Sequence, residues 1–199
     1  MKDLVISKEL RGAMRQVEDF SHLSYDRNLV TAAGGNVSMR CGDLVVITAS
    51  GVSLRNVDEG GIIICDLDGN VLGDDHGLRP SKELHIHLDI YKVRPEVRGV
   101  IHVHPPYAVA YTYHGKEIPM ATGSAEMKLK RVPIVPYAWP GTGSLAQMTA
   151  EAVSGAGNDI NCVVLQRHGI VAYEQSLEAA FNVAELTEDT ARIATLAGV

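Results

Sequence analysis

Gly99-Val100-Ile101-His102-Val103-His104 is the stretch that decides the fold, because its apolar and polar residues alternate. Successive side chains of a β-strand point to opposite faces, so this pattern predicts a strand. Ile101 and Val103 are expected on a buried face, and His102 and His104 together on the other. Pro105-Pro106 follows at once and predicts the start of a helix.

The two histidines of this strand indicate a metal site. Buried imidazoles are costly unless they find polar partners, and a divalent ion would serve both rings. A pair of hydrogen-bonded structural histidines is the alternative. His168, which follows another apolar run and precedes Gly169, is a candidate third ligand, although a histidine there would by itself more often be structural. Three protein ligands and one open position form the pattern of catalytic zinc.

Helices and strands interleave irregularly around the histidine strand. The apolar periodicity predicts helices over 4–23, 81–94, from 106, 144–153 and 177–196, and strands over 44–48, 61–66, 99–104, 132–137, 161–166 and 170–173. Asp68-Gly69 is typical of a hairpin turn, and Ser81 is expected to be the N-cap of the second helix. We therefore expect one α/β domain over residues 1–199, with a mixed, largely antiparallel sheet covered by helices.

Composition excludes several classes of protein. The net charge of −6 argues against general binding to nucleic acid. The three cysteines are odd in number and far apart, which argues against a disulfide framework and favours reduced thiols. The N-terminus has no apolar signal region, and no apolar run approaches the roughly 18 residues of a membrane span. A cytoplasmic protein without a membrane partner is expected.

A second pair, His85 and His87, falls in a predicted helix. Residues two apart on a helix point about 200° apart, so these rings cannot bind one ion together. Glu83 and His87 are four apart and share a face, and His87 is expected to pack beside the site rather than bind the ion. His22, His76 and His114 are expected to face solvent.

Two glycine-containing loops can bind an anion. Gly34-Gly35-Asn36 and Thr48-Ala49-Ser50-Gly51 combine permissive glycines with short polar side chains, although such sequences are also common in ordinary turns. Ser81 and Lys82 add a helix start and a cation. Glu83 follows them immediately and is a candidate acid/base, the alternative being a glutamate that only stabilises the first helical turn.

Taken in order over nearly the whole chain, these motifs resemble the class II aldolase/adducin-head family. The resemblance implies a sheet sandwiched between helix layers, and a homotetramer whose active sites lie between subunits. It implies the following roles: zinc ligands His102, His104 and His168; proton carrier Glu83; phosphate-binding residues Asn36, Ser50, Gly51 and Ser81, with Thr48 in the same loop.

The implied reaction is retro-aldol cleavage of a ketose 1-phosphate, of the L-fuculose 1-phosphate type, to dihydroxyacetone phosphate and an aldehyde. Two departures leave the substrate open. Lys82 replaces a second serine of that branch, and residues 120–124 lack its tyrosine. The alternatives are decarboxylation of a 3-oxo sugar-acid phosphate, in which Lys82 would bind substrate charge, or another sugar-phosphate lyase or epimerase. A non-catalytic assembly module is disfavoured, because it has no need of three convergent histidines and a base.

Overall fold

A single eight-stranded sheet forms the centre of the protein. The computed structural model describes residues 6–73 and 77–199. The strands are β1 (Asn36–Cys41), β2 (Leu44–Thr48), β3 (Ile62–Asp66), β4 (Val71–Leu72), β5 (Gly99–Val103), β6 (Ile134–Val135), β7 (Cys162–Leu165) and β8 (Gly169–Glu174). Their spatial order is β4-β3-β2-β1-β5-β8-β7-β6. Every neighbouring pair is antiparallel except β6 and β7, which confirms the mixed, largely antiparallel sheet.

Six helices cover the two faces of this sheet. They are α1 (Lys8–Asp26), α2 (Leu84–Val93), α3 (Pro106–Tyr111), α4 (Gly123–Lys128), α5 (Gly143–Gly155) and α6 (Leu177–Ala197), with short 3₁₀ turns at Leu54–Asn56, Glu59–Gly61 and Thr112–His114. Four of the helices have an N-cap residue whose side-chain hydroxyl accepts a hydrogen bond from a backbone N–H of the first turn. These N-cap residues are Ser7, Thr122, Thr142 and Ser176. None of the described helices combines the length and apolar character needed to cross a bilayer.

Alternation along the strands divides the apolar side chains between two cores. Ile101 and Val103 of β5 pack into one core with α1, α3 and α6. Val100 points to the other face and packs with α2 and α5. The sheet therefore lies between helix layers, as the resemblance implies. His102 shares the face of Val100, so its ring lies on the side that α2 covers.

Strand β1 was missing from the sequence-based expectation. Its burial is uneven, because Asn36, Val37 and Ser38 are buried whereas Met39 to Cys41 are only partly so. Its polar and apolar residues do alternate as in a strand, but the preceding Gly34-Gly35 favoured a loop in the sequence analysis. It becomes a strand because β2 and β5 both pair with it, and this register sets Asn36 directly opposite His102.

Helix α2 begins later than expected, at Leu84. Pro80 forms a β-bridge with Ala49, which keeps the chain extended up to this point. The Ser81 hydroxyl accepts the backbone N–H of Glu83, and Glu83 itself occupies the cap position. The prediction of Ser81 as N-cap was therefore wrong. The delayed start leaves the Glu83 backbone outside the helix.

Other expectations had mixed outcomes. All three cysteines are free thiols, as predicted. His22 was expected to face solvent, but it is half-buried and its Nε2 donates to the Val57 carbonyl at 2.8 Å. His76 and the side chain of His114 lie outside the described residues. Helix α1 begins at Lys8 and ends three residues beyond its predicted end.

Candidate metal centre

Four side chains from three separate parts of the chain converge at one point. His102 lies near the end of β5, and His104 follows that strand. His168 lies in the turn between β7 and β8, and Glu83 lies just before α2. The candidate ligand atoms of these four residues are all within 4.8 Å of one another. The three imidazole centroids are 4.8 to 5.0 Å apart.

The orientation of His102 is set by a bond across the sheet. Its Nδ1 lies 2.9 Å from the carbonyl oxygen of Ile170 on β8. A carbonyl can only accept, so Nδ1 carries the hydrogen and Nε2 faces the other three residues. A metal-binding histidine typically donates its second ring nitrogen in this way.

Several atoms inside the cluster lack ordinary hydrogen-bond partners. His102 Nε2 lies 2.9 Å from Glu83 Oε2 and 3.0 Å from His104 Nε2. Bare imidazole nitrogens and a carboxylate oxygen repel at such distances, so a proton or a cation must lie among them. Glu83 Oε1 and His168 Nδ1 are buried without a hydrogen-bond partner. Three nitrogens and one carboxylate fit a zinc ion.

Burial and mutual charge set the protonation states. Burial lowers the pKa of His104 to about 3 and that of His168 to about 4, with the neighbouring His102 adding to both shifts. These rings are therefore neutral at pH 7, which is the form that binds metals. Burial opposes ionisation of Glu83, but His102, His168 and Asn36 together hold its pKa well below the ordinary range.

Glycines allow the backbone to approach these rings closely. A Cβ added to Gly34 would lie 2.8 Å from His104 Nδ1. One added to Gly169 would lie 2.7 Å from His104 Cδ2 and would also clash with the Val103 carbonyl. Gly35 has a φ of 76° and its Cβ would meet the His102 carbonyl at 2.9 Å. These glycines therefore serve close packing around the histidines.

The predicted anion-binding residues fall into two groups. Ser50 and Gly51 lie beside the Pro80-Ser81 segment, because Ser50 N donates to Arg79 O and Ala49 bridges Pro80. Gly51 is exposed with a φ of 80°, and Ser50 and Ser81 are half-buried.

Thr48 and Asn36 form the second, buried group. The Thr48 side chain is only 1% exposed, and its hydroxyl accepts the backbone N–H of Val37. The Asn36 amide is also buried, where it donates to Glu83 Oε2 at 3.3 Å.

Comparison with known proteins identifies the family. The sequence profile described as "Class II Aldolase and Adducin N-terminal domain" matches residues 15–195. The chain belongs to this family. It is 36% identical to the "L-fuculose phosphate aldolase" of Methanococcus vannielii, over 86% of this chain and 90% of that protein. It is 31% identical to the "3-oxo-tetronate 4-phosphate decarboxylase" of Haemophilus influenzae, over 87% and 83%.

Solved structures of class II aldolases share the fold. A structure described as "L-fuculose 1-phosphate aldolase" superposes with a TM-score of 0.85 at 30% identity, covering 96% of this chain and 87% of that one. Aldolases and a decarboxylase are thus similar to the chain over most of its length. It is an enzyme of the class II aldolase family, with lyase chemistry acting in sugar-phosphate metabolism.

Two cations of this class II aldolase lie near the cluster. Lys82, next to Glu83, is exposed and makes no ion pair with any described carboxylate. Arg167, next to His168, has a φ of 59° and is also exposed. Its guanidinium carbon lies 4.9 Å from the ring centre of Tyr137 and 5.8 Å from that of Tyr113. No sequence pattern indicated Arg167, because its tyrosine partners are distant along the chain.

His87 does not belong to the cluster of Glu83, His102, His104 and His168. It is fully buried on α2, where Ser38 and Asn36 of β1 contact its two ring nitrogens. This agrees with the expectation that it packs beside the site. Ser38 and Tyr91, which complete its surroundings, were missed, although the spacing of four between Glu83, His87 and Tyr91 marks one face of a helix.

Proposed function

We propose that this chain is a zinc-dependent aldolase that cleaves a ketose 1-phosphate, of the L-fuculose 1-phosphate type, to dihydroxyacetone phosphate and an aldehyde. The observation that carries the proposal is the meeting of Glu83 with three inward-facing histidines within 4.8 Å. The aldolase relative, 36% identical over most of both chains, supports this reaction class. We take residues 1–199 as one catalytic domain.

His102, His104 and His168 would hold the metal ion. Zinc suits this set, because neutral imidazoles from a strand and a neighbouring turn leave room for substrate oxygens. When bound, the ion supplies Lewis-acid polarisation of the substrate carbonyl. The hydrogen bond from His102 Nδ1 to Ile170 keeps that ring turned toward the site.

Glu83 would move the proton. Retro-aldol cleavage removes a proton from a hydroxyl, breaks the adjacent carbon–carbon bond and delivers a proton to the carbon left on the dihydroxyacetone phosphate fragment. In the condensation direction the same carbon loses that proton to a base. The buried Glu83 carboxylate is ionised at rest, which suits it to accept the proton in this direction.

The substrate phosphate would bind at the two adjoining loops. Gly51 and the half-buried Ser50 and Ser81 offer backbone and hydroxyl donors there. Asn36 borders this region and also contacts Glu83. We leave Thr48 out of direct phosphate contact, because its hydroxyl is buried and already accepts from Val37 N.

A homotetramer with active sites between subunits is part of the proposal. Tyr113, Met127 and Trp139 are large apolar side chains that stay at least two-thirds exposed in the isolated chain, which is typical of a surface covered in an assembly. Light scattering of the purified protein would measure its oligomeric state. The free cysteines suit a reducing compartment such as the cytoplasm.

Decarboxylation of a 3-oxo sugar-acid phosphate is the second candidate. Lys82 favours it, because this exposed cation, which pairs with no carboxylate among the described residues, is next to Glu83 in the chain and can bind a substrate carboxylate. The Haemophilus influenzae relative supports the same reaction class. The deciding experiment incubates zinc-loaded enzyme with ketose 1-phosphates and with 3-oxo acid phosphates. Release of dihydroxyacetone phosphate and an aldehyde from the ketose 1-phosphates supports the aldolase. Release of carbon dioxide from the acids, with no cleavage of the ketose 1-phosphates, supports the decarboxylase, because decarboxylation of a four-carbon 3-oxo acid phosphate also leaves dihydroxyacetone phosphate.

A further inference from the structure

A buried chain of hydrogen bonds leads from the last turn of α2 to Glu83. Tyr91 Oη lies 2.8 Å from Ser38 Oγ, which lies 2.6 Å from His87 Nδ1. His87 Nε2 lies 2.5 Å from Asn36 Oδ1, and Asn36 Nδ2 lies 3.3 Å from Glu83 Oε2. The four hydrogen bonds therefore all pass between strand β1 and helix α2 with its N-cap residue Glu83.

Chemistry fixes the direction of every bond in this chain. The Asn36 amide oxygen can only accept, so His87 Nε2 must carry a hydrogen. Burial lowers the pKa of His87 to about 3, so the ring is neutral and Nδ1 accepts from the Ser38 hydroxyl. The Ser38 oxygen then accepts from the Tyr91 hydroxyl. At the other end, the Asn36 NH₂ group donates to the Glu83 carboxylate.

The opposite amide orientation is unfavourable at both ends. It would set the Asn36 oxygen against the Glu83 carboxylate and the NH₂ group against the N–H of His87. Because Ser38, His87 and Tyr91 are all 0% exposed, water cannot replace a mismatched bond. The Glu83 carboxylate therefore selects the amide orientation in which Asn36 donates to it, and the Nε2–H tautomer of His87 holds the amide oxygen in that orientation.

We propose that His87 is a positioning residue for the reaction. It acts through Asn36 to hold Glu83 Oε2 toward His102, while Ser38 and Tyr91 hold the His87 ring in its Nε2–H form. This proposal rests on the proposed function, since it assumes that Glu83 carries the proton. It gives His87 no contact with substrate or metal, and it gives Asn36 a role besides the predicted phosphate contact.

The packing of the elements supports this role. The β1–β5 register sets Asn36 opposite His102, so a displacement of the amide would directly change the geometry of the cluster. Glu83 is the N-cap residue of α2, where its carbonyl accepts from Ile86 N, but its side chain makes no capping hydrogen bond that would hold it in place. The Asn36 amide is a side-chain donor to the Glu83 carboxylate that does not belong to the three candidate metal ligands.

Two substitutions of His87 separate positioning from packing. His87→Phe keeps the ring volume but removes both nitrogens, so Asn36 loses the partner that orients it. We expect kcat to fall about tenfold to a hundredfold, the usual effect of losing such a supporting partner, with KM and zinc content near those of the parent enzyme. His87→Gln keeps an N–H near the Nε2 position and should recover most of the loss. His85→Phe, on the exposed side of the same helix, is the matched control.

A spectroscopic measurement tests the network without turnover. In ¹⁵N NMR of the zinc-loaded protein, His87 should show a protonated Nε2 and an unprotonated Nδ1, assigned by their loss in His87→Gln. Protonation at Nδ1 would overturn the proposal even if the His87→Phe protein failed to fold.

Kinetics keep the two proposals distinguishable. An active His87→Phe enzyme beside an inactive Glu83→Gln enzyme would remove the positioning role and leave the proposed function intact. Full activity of Glu83→Gln would instead remove the premise shared by both.

Discussion

His102 and Ile170 are joined across strands β5 and β8 by a hydrogen bond of 2.9 Å from the ring Nδ1 to the carbonyl oxygen. This bond joins a side chain of one strand to the backbone of the next, and it decides which nitrogen of His102 faces Glu83. The ring orientation is therefore fixed before any ion or substrate arrives. Preorganisation of this kind lowers the cost of binding, because no rotamer has to be frozen.

Loss of one histidine should remove the metal. His104→Ala deletes one of three nitrogens that face the cluster, and we expect a large fall in zinc content after dialysis. His85→Ala, on the exposed side of α2, should keep its full zinc content. Elemental analysis of both variants measures the zinc content. Full zinc occupancy of His104→Ala would refute the assignment of this residue as a ligand.

Loss of the carboxylate should stop the chemistry while the metal remains. Glu83→Gln keeps the shape and the contact with Asn36 but cannot carry the proton. Turnover should fall by about a hundredfold or more, and zinc should stay bound through the three histidines. Steady-state kinetics and elemental analysis on the same preparation check both statements. Near-normal turnover would reduce Glu83 to a structural residue at the start of α2.

Removal of the charge at Lys82 should change substrate preference. Lys82→Ser restores the second serine that the fuculose-phosphate branch is expected to carry. If the ammonium group binds substrate charge, the specificity constant for a carboxylated substrate should fall by the equivalent of roughly 1–3 kcal/mol relative to a ketose 1-phosphate. The ratio of kcat/KM for the two substrates measures the effect. Unchanged kcat/KM values on both substrates would assign Lys82 to solvent and leave the aldolase as the sole proposal.

A methyl group at Gly169 should disturb both the fold and the metal site. Its Cβ would clash with the Val103 carbonyl and lie 2.7 Å from the His104 ring. We expect Gly169→Ala to lower the free energy of unfolding by about 1–3 kcal/mol, as overpacking does, and to weaken zinc binding. Urea denaturation and a zinc titration measure the two effects.

Gly12→Ala is the matched control for this change. A Cβ at Gly12, in the middle of α1, meets nothing within 4 Å. Alanine is a better helix former than glycine, so this variant should gain about 0.5–1 kcal/mol. A gain in stability for Gly169→Ala as well would show that the sheet can move aside, and would contradict the close-packing role of that glycine.

The sequence alone was sufficient where a local period carried the information. Alternation over Gly99–Val103 predicted β5 and set His102 and His104 on one side. Pro105-Pro106 predicted the start of α3, and Asp68-Gly69 predicted the β3–β4 turn. These features follow from the geometry of neighbouring residues, which every strand, turn or helix start of that composition shares.

Only the tertiary structure decided how the distant parts meet. Strand β1 follows a glycine pair that favours a loop, and the pairing with β2 and β5 makes it a strand. The start of α2 at Leu84 follows from the bridge between Ala49 and Pro80. The orientation of the Asn36 amide depends on His87, about fifty residues away. Sequence periodicity determines which face of an element is buried, but not which element it packs against, because pairing energy depends on contacts between residues far apart in the chain.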